Sequence, residues 1–148
     1  MTVRNAGRLI PAVALGVVLL GSGAVISGAE IKGAAILQHP CGKVSVRHMG
    51  LVHDGRMADA VKLGTPELQA QWSSMPAAER DMMAGMMKAM SQSAADFSAD
   101  IKAHGVLTVA GGTATLTVKK TRQDASGSAT ETMTQSFQIA GSNCAIAR

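Results

Sequence analysis

The 148-residue chain carries 14 Lys and Arg against 10 Asp and Glu, a formal charge of +4, with 47% hydrophobic and only 2% aromatic residues. The excess charge is small, Lys119, Lys120 and Arg122 are its only tight basic group, and Trp72, Phe97 and Phe137 are its only aromatics, so a surface that reads nucleic-acid bases is excluded. The length suits one compact domain and not two.

The opening MTVRNAGRLIPAVALGVVLLGSGAVISGA has the three parts of a secretory signal. Arg4 and Arg8 form the positive region, 9–20 is apolar, and Ser27, Gly28 and Ala29 place small residues where a signal peptidase reads them. Cleavage is expected after Ala29. No cysteine follows closely enough for lipidation, so stable membrane insertion is not expected after cleavage. The product would be periplasmic or secreted, with 119 residues and a charge of +2, because Arg4 and Arg8 leave and no acid leaves with them.

Two cysteines follow, Cys41 and Cys144. In an oxidising compartment an even pair reads as a disulfide, here a staple between the first helix and the last strand. The spacing is far from C-x-x-C, and the neighbours Gly42 and Asn143 carry no charge that would activate a thiolate.

The mature chain divides near Ala95 into a helical half and a strand half. Residues 30–39 read as an N-terminal extension ahead of a domain over 40–148. Pro40 suits the first turn of a helix, and Val44, His48, Leu51 and Val52 recur at helical spacing to about 54, where Gly55 ends it. A short helix is expected over 56–63. Thr65, Pro66 and Glu67 supply the cap, proline and acid of another over 66–73. Pro76 and Glu79 open the longest, reaching about 92. From Asp96 the apolar residues Phe97, Ala99, Ile101, Ala103, Leu107 and Val109 fall on odd positions, which predicts one long strand bent at Gly105. After the turn at 110–112, Ala114, Leu116 and Val118 alternate with Thr113, Thr115 and Thr117 as a half-buried strand. Met133, Phe137 and Ile139 mark a third strand, and Cys144 and Ile146 a short fourth. The expected class is α+β, with N-terminal helices on one face of a curved four-stranded antiparallel sheet.

That order, with HDGRMADAVKLGTP between helices and FQIAGSNCAIAR at the end, resembles the nuclear transport factor 2-like, or cystatin-like, superfamily. Within it the chain is similar to the lumazine-binding-like domains of unknown function in exported bacterial proteins. The resemblance implies a cone with an apolar cavity between the long helix and the sheet, used either for catalysis of the isomerase or dehydratase type or for binding alone. Such relatives commonly dimerise across the open sheet, and a homodimer is compatible with the uncharged threonine face. Where they end in a Trp-Lys-hydrophobic strand, this chain has Asn143, Cys144, Ala145 and Ile146, which implies that a disulfide replaces tryptophan as the anchor.

An enzyme of that kind needs an Asp or His base and a Tyr or second acid for the oxyanion, and the chain has no tyrosine. Parity places Asp96, Asp100 and His104 in solvent. His48 shares the face of Val44 and Leu51 and should point into the core or cavity, more as a packed histidine than as a base. Thr65, Ser73 and Ser74 have no adjacent base, and no residue is assigned a catalytic role.

The stretch DMMAGMMKAM holds five of the ten methionines in two helical rows. Met82, Met86 and Met90 form one; Met83, Met87 and Met90 form the other. Thioethers suit Cu(I), so Met82, Met86 and Met90 with His53 are an alternative copper site, and Met49, His53 and Met57 would add a second line if the first helix ran through Gly55. Methionine is also a good helix former and an adaptable filler of irregular space, which a chain poor in aromatics needs. The reading adopted is an exported, non-catalytic binding module without a cofactor. Its partner would be an apolar small molecule or a protein, held by His48, Met83 and Met87 against Phe97, Ile101, Leu116, Val118, Phe137 and Ile139.

Overall fold

The computed structural model describes residues 28–147, so the signal assigned to the first 29 residues lies almost wholly outside them. Among the described residues the elements in order are β1 (Ala29–Lys32), a 3-10 helix (Gly33–Gln38), α1 (Pro40–His53), α2 (Met57–Val61), α3 (Pro66–Ser74), α4 (Ala77–Met90) and α5 (Ala94–His104). Strands β2 (Gly105–Ala110), β3 (Thr113–Asp124), β4 (Gly127–Ala140) and β5 (Asn143–Ile146) follow.

The class is α+β, with helices beside an open antiparallel sheet in the order β1-β2-β3-β4-β5. Among the described residues it has five strands, not the four expected. The added strand comes from 29–32, which pairs Ile31 with Leu107 at the edge of β2. Residues 33–38, grouped above with the extension, lay Ile36 fully buried in the core. At Gly42 a Cβ would collide with the Ile36 carbonyl, so only glycine lets the first turn of α1 sit against the 3-10 helix.

Helix boundaries follow their capping chemistry. The Nδ1 of His39 accepts from the Cys41 amide at 3.2 Å, with Pro40 in the first turn of α1. Thr65 Oγ1 accepts from the Leu68 amide to open α3. Gly55 takes a positive φ of 77° just beyond α1, so the chain turns there. The line Met49, His53, Met57 is therefore broken: Met49 and Met57 face inward, whereas His53 is exposed.

The long strand expected from Phe97 through Val109 is instead α5 followed by β2. Phe97 and Ile101 are separated by four residues, which satisfies a helical face as well as an alternating one. Burial decides between them: Phe97 and Ile101 are buried, while Ala99 and Ala103 at the same parity are exposed. Ser93 is the signal that favours helix. Its Oγ accepts from the Asp96 amide at 3.1 Å and donates to Asp96 Oδ2 at 2.8 Å, a cap that an uninterrupted strand could not use.

The main core joins Phe97 and Ile101 of α5, Leu107, Leu116, Val118, Phe137 and Ile146 of the sheet, Ile36, and the Cys41–Cys144 disulfide. That bond links α1 to β5 across 103 residues, as the cysteine pair predicted. A second cluster of Val52, Met57, Ala60 and Val61 joins α1 to α2, with Trp72 and Met87 packed on it. The α2–α3 connection is fastened to β5, where Ile146 donates to the Leu63 carbonyl at 3.0 Å and Thr65 donates to the Ile146 carbonyl at 2.8 Å. Between the two clusters the helices stand off the sheet.

Candidate functional site: a methionine-lined cavity

The space so left is a cavity of about 770 Å³ bounded by all five helices, β3, β4 and β5. Seven of the ten methionines line it: Met49, Met57, Met75, Met83, Met87, Met90 and Met133. They come from α1, α2, the α3–α4 turn, α4 and β4, with Val52, Val61, Leu68, Trp72, Phe97 and Val118 between them. Unbranched thioether side chains change rotamer at low cost, so this wall can adapt to the shape of an apolar occupant. Its volume lies within the range of small-molecule sites.

The two rows of α4 have different surroundings. Met83 and Met87 face the cavity and are half-buried, whereas Met82, Met86 and Met90 are 73%, 58% and 81% exposed. Met90 lies at the rim, counted on both sides. The copper alternative thus has its three thioethers on the outer face, with exposed His53 at the end of α1. Among the described residues no three His, Cys, Asp or Glu side chains cluster as metal ligands.

His48 lines the cavity from α1, whereas Val44 and Leu51, the residues grouped with it on one helical face, do not. Burial pushes its imidazole below the ordinary value of 6.5. The ring is therefore neutral at neutral pH, with one nitrogen a donor and the other an acceptor. Among the described residues no carboxylate hydrogen-bonds it. One turn earlier, the Ser45 hydroxyl donates to Gln135 Oε1 and joins α1 to β4 beneath the cavity.

Of the other expected site residues, Phe97 contributes to the wall from α5 rather than from the sheet. Ile101, Leu116 and Phe137 are fully buried in the core below, and Ile139 packs at its edge. Asp96 and His104 are exposed, as parity suggested. Asp100 is a correction to that parity argument. Helical geometry turns it toward β3, where its side chain is only 17% exposed and lines the mouth of the cavity.

Asp100 accepts from Lys120 Nζ at 3.0 Å on both oxygens and from Gln92 Nε2 at 3.1 Å. Burial alone would raise its pKa, but the hydrogen bonds from Lys120 and Gln92 and the charges of Lys120 and His104 together hold it below the ordinary value. Arg122 and Glu131 form a looser pair at 3.7 Å at the same mouth.

Sequence reading missed the breadth of this wall. Met75 and Met133 stand singly, and although spacing set Met49 and Met57 in a line with His53, nothing local marks the four as one wall. A signal did exist for Lys120 and Arg122: they continue the even-numbered alternation of Leu116 and Val118, so they share the inner face of β3. Comparison of the chain with family models, curated proteins and solved structures gives no match.

Proposed function

We propose that the protein is an exported, non-catalytic binding module that holds an apolar small molecule between α4 and the sheet. The observation that carries this reading is the 770 Å³ cavity walled by seven methionines. Leaving this much apolar surface unpacked forgoes stabilising contacts, and an occupant would restore them. The disulfide is consistent with an oxidising compartment, and no described helix is long and apolar enough to cross a membrane. Helices stacked over an antiparallel sheet with a cavity between them support the resemblance to the nuclear transport factor 2-like superfamily, and fold analogy supports a cavity without naming its occupant. A homodimer through the open face is part of the same proposal, supported by the uncharged run of Thr115, Thr117, Thr134 and Ser136 across β3 and β4.

An uncharged naphthylamine fluorophore tests the reading. Its emission should rise saturably on binding at one site, and Met87→Trp, which fills the cavity, should weaken binding at least tenfold with unchanged circular dichroism. No saturable rise, or equal binding by the filled variant, contradicts it.

A second reading rests on the exposed row Met82, Met86, Met90, which is open to a soft cation. Cu(I) titration against a bicinchoninate competitor should then show binding that disappears when all three are changed to Leu. Binding retained by that variant rules the row out.

A further inference from the structure

The mouth of the cavity narrows the class of ligand, and the inference rests on the apolar-ligand reading above. Along the inner face of β3 the residues run Leu116, Val118, Lys120, Arg122, from fully buried and apolar to cationic over roughly 20 Å at the rise of an extended strand. On β4 the partner of Val118 is Met133 and the partner of Lys120 is Glu131, so the gradient is shared by both strands. A cavity that is apolar at one end and charged at the other orients an amphiphile.

Net charge does not choose the head group, because Lys120 and Arg122 are balanced by Asp100 and Glu131. Hydrogen-bonding capacity does. The Asp100 carboxylate is engaged on both oxygens by Lys120 and additionally by Gln92. Lys120 has a third ammonium proton beyond those directed at Asp100. Arg122 makes no hydrogen bond among the described residues, and its ion pair with Glu131 is 3.7 Å long with both side chains mostly exposed. Glu131 makes no hydrogen bond either, so the mouth holds two side chains with donors to spare, Lys120 and Arg122, against one with acceptors to spare, and the guanidinium fork of Arg122 matches a carboxylate.

We propose that the cavity binds a long-chain carboxylate, with the alkyl chain between Met83 and Met87 of α4 and Val118 and Met133 of the sheet, and the carboxylate on Arg122 and Lys120. Calorimetric titration of the disulfide-bonded protein with dodecanoate and with dodecanol tests it. Dodecanoate should bind about tenfold more tightly. Arg122→Gln, at an exposed position with no hydrogen bond to lose, should bring dodecanoate to the level of the alcohol and leave the alcohol unchanged. Equal affinity for the two ligands in the wild type, or an Arg122→Gln protein that keeps the preference, overturns the head-group assignment while leaving the apolar reading intact. Binding of neither ligand overturns both.

Discussion

Lys120 donates from Nζ to both carboxylate oxygens of Asp100, each at 3.0 Å, and so ties β3 to α5 at the mouth of the cavity. The pair is partly shielded, with side-chain exposures of 36% and 17%, so it outranks the surface pairs around Asp59. Asp100→Ala should lower unfolding stability by about 1 kcal/mol, a figure discounted for solvent screening. Asp59→Asn should leave the denaturation midpoint nearly unchanged. Because the Asp100 pKa is depressed in the fold, its contribution is present above the unfolded value and is lost as pH falls through the folded one. Urea titrations of the wild type and both variants at pH 7 and pH 3 check the size and the sign.

His48 acts on stability in the same direction but in a higher window. Its folded pKa lies below the ordinary 6.5, so the unfolded chain takes up the proton first. Stability should therefore fall as pH drops below 6.5, by at most about 1.4 kcal/mol per unit, and level off once the folded imidazole is protonated. His48→Gln should remove that segment of the pH profile, as followed by urea unfolding between pH 8 and pH 5.

The Cys41–Cys144 bond closes a long loop and fastens β5 to α1. The chain-entropy argument places its contribution at about 4 to 5 kcal/mol, an upper figure. Cys41→Ala/Cys144→Ala, which also leaves a small void beside Ile36, should lower the thermal midpoint by well over ten degrees. Scanning calorimetry measures it.

The two rows of α4 should differ in oxidation. Dilute hydrogen peroxide should convert Met82, Met86 and Met90 to sulfoxides ahead of Met83 and Met87, because only the first three are largely exposed. Peptide mass spectrometry at partial conversion reads the order directly, and a cavity ligand should slow Met83 and Met87 without protecting Met82.

The sequence contained the starts of α1, α3 and α4 because caps and prolines act locally, as at Thr65-Pro66, and it contained the register of β3 because Ala114, Leu116 and Val118 alternate without ambiguity. It did not separate α5 from a strand, since an apolar pair at Phe97 and Ile101 fits either period and the decisive difference is exposure at Ala99 and Ala103. β1 was missed because a four-residue edge strand takes its pairing from β2 rather than from its own pattern. The Met83–Met87 side of the site was legible as one helix face. Its remaining wall comes from side chains that only the tertiary fold brings together, Met49, Met57, Met75 and Met133 among them.

The central claim is that this methionine wall surrounds a ligand, and methyl-selective NMR of carbon-13 methionine tests it most directly. On titration with dodecanoate, the methyl signals of Met49, Met57, Met75, Met83, Met87 and Met133 should shift together to a single saturating end point, while those of Met82 and Met86 stay in place. Shifts confined to Met82 and Met86, or none at saturating ligand, would contradict it.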